Sequence, residues 1–274
     1  MRPDVDLYDG HYGHLEADVQ RAVRRDTYDE DLGQSSWITL SEARDWFRLL
    51  DLSPRNAALE IACGSGGMTE RMALDTGAAC VGVDINEHGI EAAKARVRDR
   101  DLGSQVSYQL VNAAKRLPFP DESFDAIFCN DAINHLPGRL DYLRDWHRVL
   151  RPGGRLLFTD PVVITGPVTN EELRVRSSIG FFLFTPVGLN EKLLAQSGFA
   201  VREVRDVTDA VASVSRKWRD ARARRREALV RLEGEAGFDD LQRFLDAVHT
   251  LSSERRLSRF MYLASKPRSL SRRN

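Results

Sequence analysis

Residues 59–69 read LEIACGSGGMT. A short apolar run, interrupted by the acid Glu60, breaks into a loop carrying Gly64, Gly66 and Gly67. Apolar runs of this length bounded by glycine are strands buried in a sheet, and a helical pattern opens just beyond the loop. Working outward, ACVGVDI, VSYQLV, FDAIFCN and RLLFTD repeat the strand signature, each separated by a helix or a turn-rich loop. Asn86 is placed to cap EHGIEAAKARVRDR, which turns Ile90, Ala93 and Val97 inward. GRLDYLRDWHRVL puts Leu140, Leu143, His147 and Leu150 on one stripe, so His147 reads as packing. Upstream, SSWITLSEARDWFRLLDL has Thr39 and Glu42 in capping-box relation, with Trp37, Leu40, Ala43, Phe47 and Leu50 on one face. Such alternation implies right-handed crossovers and a parallel sheet with helices on both faces.

The rhythm breaks at residues 162–185, which read as an insertion. PVGLNEKLLAQSGF then resumes as a helix, VREVRDV is a strand, residues 209–254 are helical, and RLSRFMYLAS is a last strand. The expected division is an N-terminal arm or lid over 1–35, a catalytic domain over 36–267 with cap insertions at about 162–185 and 209–254, and a disordered tail over 268–274.

Lys plus Arg total 40 and Asp plus Glu 41, which argues against a nucleic-acid partner. No apolar stretch approaches a membrane span, and the first residues lack a signal-peptide core. Cys63, Cys80 and Cys129 lie at no metal-ligand spacing and read as buried, reduced thiols of a cytoplasmic protein. No metal is expected, and the sequence sets no oligomeric state.

The glycine loop lies at the carboxyl end of the first strand, where open parallel sheets bind ligands. Asp84 ends the next strand, twenty residues after Gly64, where a carboxylate accepts both hydroxyls of a ribose. A dinucleotide fingerprint would need a third glycine where Thr69 stands, and no phosphate loop is present. Glu60 beside the loop repels pyrophosphate and suits a cofactor bearing an ammonium. A phosphate-free, cationic nucleoside, S-adenosylmethionine, fits this charge pattern better than a nicotinamide dinucleotide.

Three segments in order, LEIACGSGG, VGVDIN and RLPFPDESFDAIFCNDAINHLPGRLDYLRDWHRVLRPGGRLLFTD, resemble the class I S-adenosylmethionine-dependent methyltransferases, in particular their small-molecule branch of sugar, polyketide and glycine/sarcosine-type enzymes. The resemblance covers roughly residues 35–160. It implies an α/β doubly wound, seven-stranded, mostly parallel Rossmann-like sheet with a helical cap, the last strand antiparallel between its neighbours. It also implies that Glu60, Gly64 and Gly66 surround the methionine moiety, that Asp84 holds the ribose, and that Ile85 packs on the adenine. Asn112 and Ala113 stand where the adenine amine is met, Ala62 where a glycine is usual, and Asn130 where a backbone carbonyl meets the ammonium. Gln34, Ser35 and Trp37 fall near the cofactor.

Transfer of a methyl group to an alcohol needs alignment and a base. His135, in NDAINHLP, and Asp160, ending the fifth strand, occupy the places of a base and its helper in similar sugar O-methyltransferases. His135 either takes a hydroxyl proton or caps the following turn. The expected activity is O-methylation of a natural product or other metabolite, with nitrogen and carbon acceptors, or a non-methylating cyclase or scaffold role, as alternatives. Elsewhere, RKWRDARARRRE over 216–227 reads as a solvated helix face. The phenylalanines of IGFFLFTP either line a substrate pocket or form the insert's own core. Arg174 and Arg176 either meet a substrate anion or, more simply, form surface salt bridges, and His11 and His14 lie in the arm.

Overall fold

The computed structural model describes residues 12–268; residues 1–11, including His11, and the tail beyond 268 lie outside the described residues. Two helices, α1 (Asp18–Thr27) and α2 (Leu40–Leu49), precede the sheet. Then follow β1 (Ala57–Ile61), α3 (Gly67–Thr76), β2 (Ala79–Asp84), α4 (Glu87–Asp99), β3 (Val106–Leu110), β4 (Phe124–Cys129), a 3₁₀ turn (Ile133–His135), α5 (Arg139–Val149) and β5 (Leu150–Ile164). The chain continues with α6 (Asn170–Arg176), a two-residue β6 (Thr185–Pro186), α7 (Leu189–Gln196), β7 (Ala200–Asp206), α8 (Thr208–Ala223), α9 (Arg226–Ser253) and β8 (Leu257–Ser265). The strands lie in the order β3-β2-β1-β4-β5-β8-β7, with β6 on the end of β5. β8 runs antiparallel between β5 and β7, and the first five strands are parallel. The fold is thus a doubly wound α/β sheet with helical layers.

Strand periodicity builds the two cores. Ala58, Phe128, Leu157 and Met261 face Trp46, Phe47 and Met72 of α2 and α3. The alternate residues Leu59, Ile127, Leu156 and Tyr262 face Leu143 and Trp146 of α5. Local signals placed the helix starts. Thr39 and Glu42 form the capping box of α2, and the Gly89 amide donates to Asn86 Oδ1 at 2.9 Å.

A third apolar cluster lies apart from the sheet. Val23 and Tyr28 around α1, Ile179 of the insertion, Val214 and Trp218 of α8, and Phe244 and Leu245 of α9 form one small core, a helical cap. Three expectations need correcting here. β5 runs on to Ile164, so residues 162–164 belong to the sheet and the insertion starts after them. Trp37 precedes α2, because the capping box starts that helix at Leu40, and its ring joins the cap core instead of the sheet face. The basic run at 216–227 is solvated only in part, since Trp218, Ala221 and Arg222 turn inward.

Candidate active site

A cavity of about 640 Å³, within the size range of small-molecule sites, opens at the carboxyl ends of β1, β2 and β4. Glu60, Ala62, Gly64, Asp84, Ile85, Asn112, Ala113, Asn130 and His135 all line it, with Gln34 and Ser35 from the segment before α2. Tyr12 closes one side; a Cβ added at Gly64 would meet its hydroxyl at 2.1 Å. The loop itself is left-handed at Ala62 (φ 56°), Gly64 and Gly66. A non-glycine residue held at such a φ is uncommon, and Ala62 bears that strain where the resemblance led us to expect glycine.

Gly66 does not line the cavity. Its missing Cβ makes room for the Tyr108 hydroxyl and Ala93, and its carbonyl accepts from Tyr108 Oη at 2.7 Å. Gly67 does line the cavity, and a Cβ there would also meet the Leu32 carbonyl.

Asp84 is buried, and its two oxygens accept the amides of Gly64 and Asn86, each at 2.8 Å. A carboxylate has about four lone-pair sites, so it can accept several donors at once. Ile85, by contrast, is 67% exposed beside it and offers an apolar face to a flat ring. Glu60 is buried, accepts a short hydrogen bond from Thr69 Oγ1, and is pushed up to about 8 by desolvation, with a further push from Asp84. Asp84 and Asp141 oppose Lys115 around the cavity, while Asp131 is paired with Arg259 and Glu60 becomes a further negative charge only when a cation draws off its proton.

His135 sits on the 3₁₀ turn after β4. Its Nδ1 lies 2.7 Å from the Phe181 carbonyl, which can only accept, so Nδ1 carries the proton. Nε2 is then the basic atom, and Asn134 Nδ2 donates to it at 3.1 Å. Burial holds the imidazole down at about 4, with the nearby Arg176 charge adding to the effect, so it is neutral at pH 7. The insertion therefore orients this histidine, and the Leu183 amide ties the same segment to the Asn134 carbonyl at 2.8 Å.

Asp160 lies elsewhere. It is fully buried, and its carboxylate accepts from Arg139 Nη1 (2.8 Å), Thr185 Oγ1 (2.9 Å) and Asn190 Nδ2 (3.0 Å). It lines neither the cavity nor a contact with His135, which corrects the expected base–helper pair.

The residue that instead organises the end of β4 is Asp131, which the sequence reading missed. Held at φ 52°, it accepts from Arg259 Nε (2.6 Å), Thr159 Oγ1 (2.8 Å) and the Trp37 amide (2.9 Å). Arg259 also donates to Asn130 Oδ1 at 3.0 Å and lies over the Trp46 ring. A lone arginine inside the apolar strand LSRFMYLAS was the available signal, since a buried guanidinium needs an acid.

A methyltransferase-domain family profile matches residues 59–158. The 27-O-demethylrifamycin SV methyltransferase of Amycolatopsis mediterranei is 33% identical over 192 residues, 65% of this chain and 70% of that protein. The O-methyltransferase resE of Aspergillus sclerotiorum is 30% identical over 237 residues, 84% of this chain and 86% of that protein. The chain belongs to the class I S-adenosylmethionine-dependent methyltransferases. Its cofactor is S-adenosyl-L-methionine, and its acceptors are of the small-molecule type. The cyclopropane synthase MmaA2 of Mycobacterium tuberculosis shares the fold, with a TM-score of 0.81 at 18% identity, covering 97% of this chain and 99% of that one.

The methyltransferase's own residues fit the donor. The cavity joins an acidic cradle around the glycine loop, a carboxylate at the end of β2 and an exposed isoleucine beyond it. Among the described residues no group of three or more His, Cys, Asp or Glu side chains is arranged to hold a metal, and no helix is long and apolar enough to cross a membrane.

Proposed function

We propose that this methyltransferase methylates a hydroxyl oxygen of a small natural product or related metabolite, with His135 as general base. The observation that carries the reading is the fixed tautomer of His135 on the cavity wall: Nδ1–H is committed to the Phe181 carbonyl and the base is Nε2. Two of the relatives are named for oxygen methylation, which supports this reading, beside others named for carbon or nitrogen.

In this reading Asp84 accepts the ribose hydroxyls, Ile85 and Ala113 pack on the adenine, and Asn112 meets its amine. Glu60, Ala62, Gly64 and the Asn130 carbonyl surround the amino-acid end. The bound donor supplies an electrophilic methyl on a good leaving group. The acceptor hydroxyl takes the place of the Asn134 amide on Nε2. Its proton passes to that nitrogen as the oxygen–carbon bond forms and the carbon–sulfur bond breaks. The aromatic insertion around Phe181 and Phe182 excludes water and fixes the approach.

The test is S-adenosylhomocysteine release with hydroxylated acceptors, the methylated atom located by NMR, in wild type and His135→Ala. A placed base contributes roughly 10²–10⁴ in rate. Loss of that order with donor affinity intact supports the reading; a variant at full rate with donor bound removes His135 from the chemistry.

A further inference from the structure

Behind His135 lies a second, much smaller cavity of about 20 Å³. That is room for one oxygen-sized group. Ser35, Asp131 and His135 border both cavities, so the two compartments adjoin at the proposed base. The walls of the small one are mostly aromatic: Trp37, Phe182, Trp218 and Phe244.

Its polar content is unusual for such a place. Arg176 lines it at 2% exposure, its guanidinium 4.8 Å from the Phe182 ring centroid and 5.0 Å from that of Phe244. Arg176 is thus a buried cation on aromatic faces, unlike Arg174, which pairs at the surface with Glu171. Asn134 is fully buried and also lines the small cavity; its Nδ2 serves His135, while its Oδ1 has no hydrogen-bond partner among the described residues. Ser35 Oγ is a second buried atom with none among them. Buried polar atoms in native proteins are nearly always satisfied, so these two point to a ligand group.

We propose that the small cavity is a specificity subsite that receives a second oxygen of the acceptor, on the carbon next to the one bearing the methylated hydroxyl. This rests on the reading of His135 as the base and deepens it by naming the acceptor class: flat compounds with neighbouring oxygens, of the catechol or enediol kind. A hydroxyl there donates to Asn134 Oδ1 and accepts from Ser35 Oγ–H, and the nearby Arg176 charge favours a polarised phenolic hydroxyl over an aliphatic one. One amide thereby faces both oxygens, Nδ2 toward the reacting position and Oδ1 toward its neighbour. A neighbouring oxygen is the group that one amide can meet in this way, because the two compartments share Ser35, Asp131 and His135.

The experiment measures binding rather than turnover, so that it is separable from the base assignment. The complex with S-adenosylhomocysteine is titrated with catechol, phenol and 2-methoxyphenol, read by calorimetry and by the fluorescence of Trp37 and Trp218. Catechol is expected to bind about tenfold or more tightly than phenol, and 2-methoxyphenol no better than phenol, because a methyl overfills the space. With each variant saturated with S-adenosylhomocysteine before titration, Arg176→Gln and, independently, Ser35→Ala should each shrink the ratio of catechol to phenol affinity. Ser35→Ala keeps the test standing if the arginine variant fails to fold. Equal affinities for catechol and phenol, no binding of either, or a catechol advantage that survives both substitutions would overturn the subsite. Catechol preference in a protein whose His135→Ala variant retains full rate would keep the subsite and sink the base.

Discussion

Replacing Asp160 with asparagine separates a structural acid from a catalytic one. The substitution keeps the shape of the side chain and removes its charge. Arg139, 6% exposed, would then keep its guanidinium in the core with only neutral acceptors: the new amide, Asn190 Oδ1 at 2.6 Å and the Ile133 carbonyl at 3.2 Å. Breaking a buried ion pair from one side costs roughly 3–5 kcal/mol. The surviving acceptors place this case near the lower end, about 3 kcal/mol, and a chain of this size loses about 2 °C per kcal/mol. The expected result is a melting temperature about 6 °C lower, with kcat within a few-fold of wild type when assayed well below the transition. Adding Arg139→Met should restore much of the loss, because the pair is then replaced by neutral side chains. Scanning calorimetry and initial rates at saturating donor decide it. A variant that melts with wild type but turns over a hundredfold slower would refute the geometric reading and return Asp160 to the chemistry.

Three further outcomes follow from the same geometry. Because burial holds His135 down at about 4, kcat with a hydroxyl acceptor should stay flat from pH 8 to about 5; a limb with an apparent pKa near 6.5 would contradict the buried imidazole. The unfolded chain takes up that proton first, so this group lowers stability as pH falls from about 6.5 toward 4, which urea titrations at pH 4.5 and 7 can follow. Glu60, pushed up to about 8, is protonated in the free protein at pH 7, and a cationic donor should expel its proton; calorimetry in buffers of differing ionisation heat should show proton release that Glu60→Gln abolishes. Ala62→Gly should raise stability by about 0.5 kcal/mol, the relief of the left-handed strain less the added freedom of the unfolded chain, with donor affinity retained; a destabilised variant would show that the φ of 56° carries no strain.

Features set by local rules were legible. Alternation gave both cores, Thr39 with Glu42 and Asn86 fixed helix starts, and Asp84 had to face the cavity because a strand ends there. Features set by a distant partner were not. Gly66 looks like a ligand-facing glycine until Tyr108, 42 residues away, arrives to fill the space. Asp160 sits at a strand end as expected, yet Arg139 on α5 and Asn190 on α7 seal it. Trp37 obeys helical spacing with Leu40 and Phe47, but the cap at Thr39 leaves it outside the helix. Arg176 carries no pattern of its own, because its burial is made by rings from three separate segments.

The buried arginine on β8 has a cost that the fold has reason to bear. β8 lies between β5 and β7, both earlier in the chain, and its antiparallel pairing with β5 breaks register between Asp160 and Val163. A slip of one residue would turn every β8 side chain to the opposite face. The flanking residues resist this only weakly, since both faces are apolar, Phe260 and Tyr262 on one and Met261 and Leu263 on the other. Arg259 resists it strongly: in any other register its charge leaves Asp131 and Glu42 and lies uncompensated in the sheet. The same contact holds Asp131 at its left-handed φ and so fixes the turn that carries Asn134 and His135. Placement of the last strand and placement of His135 therefore depend on one contact. Arg259→Met should show this as slowed refolding together with a weakened donor complex, and a variant that refolds at the wild-type rate with full donor affinity would uncouple them.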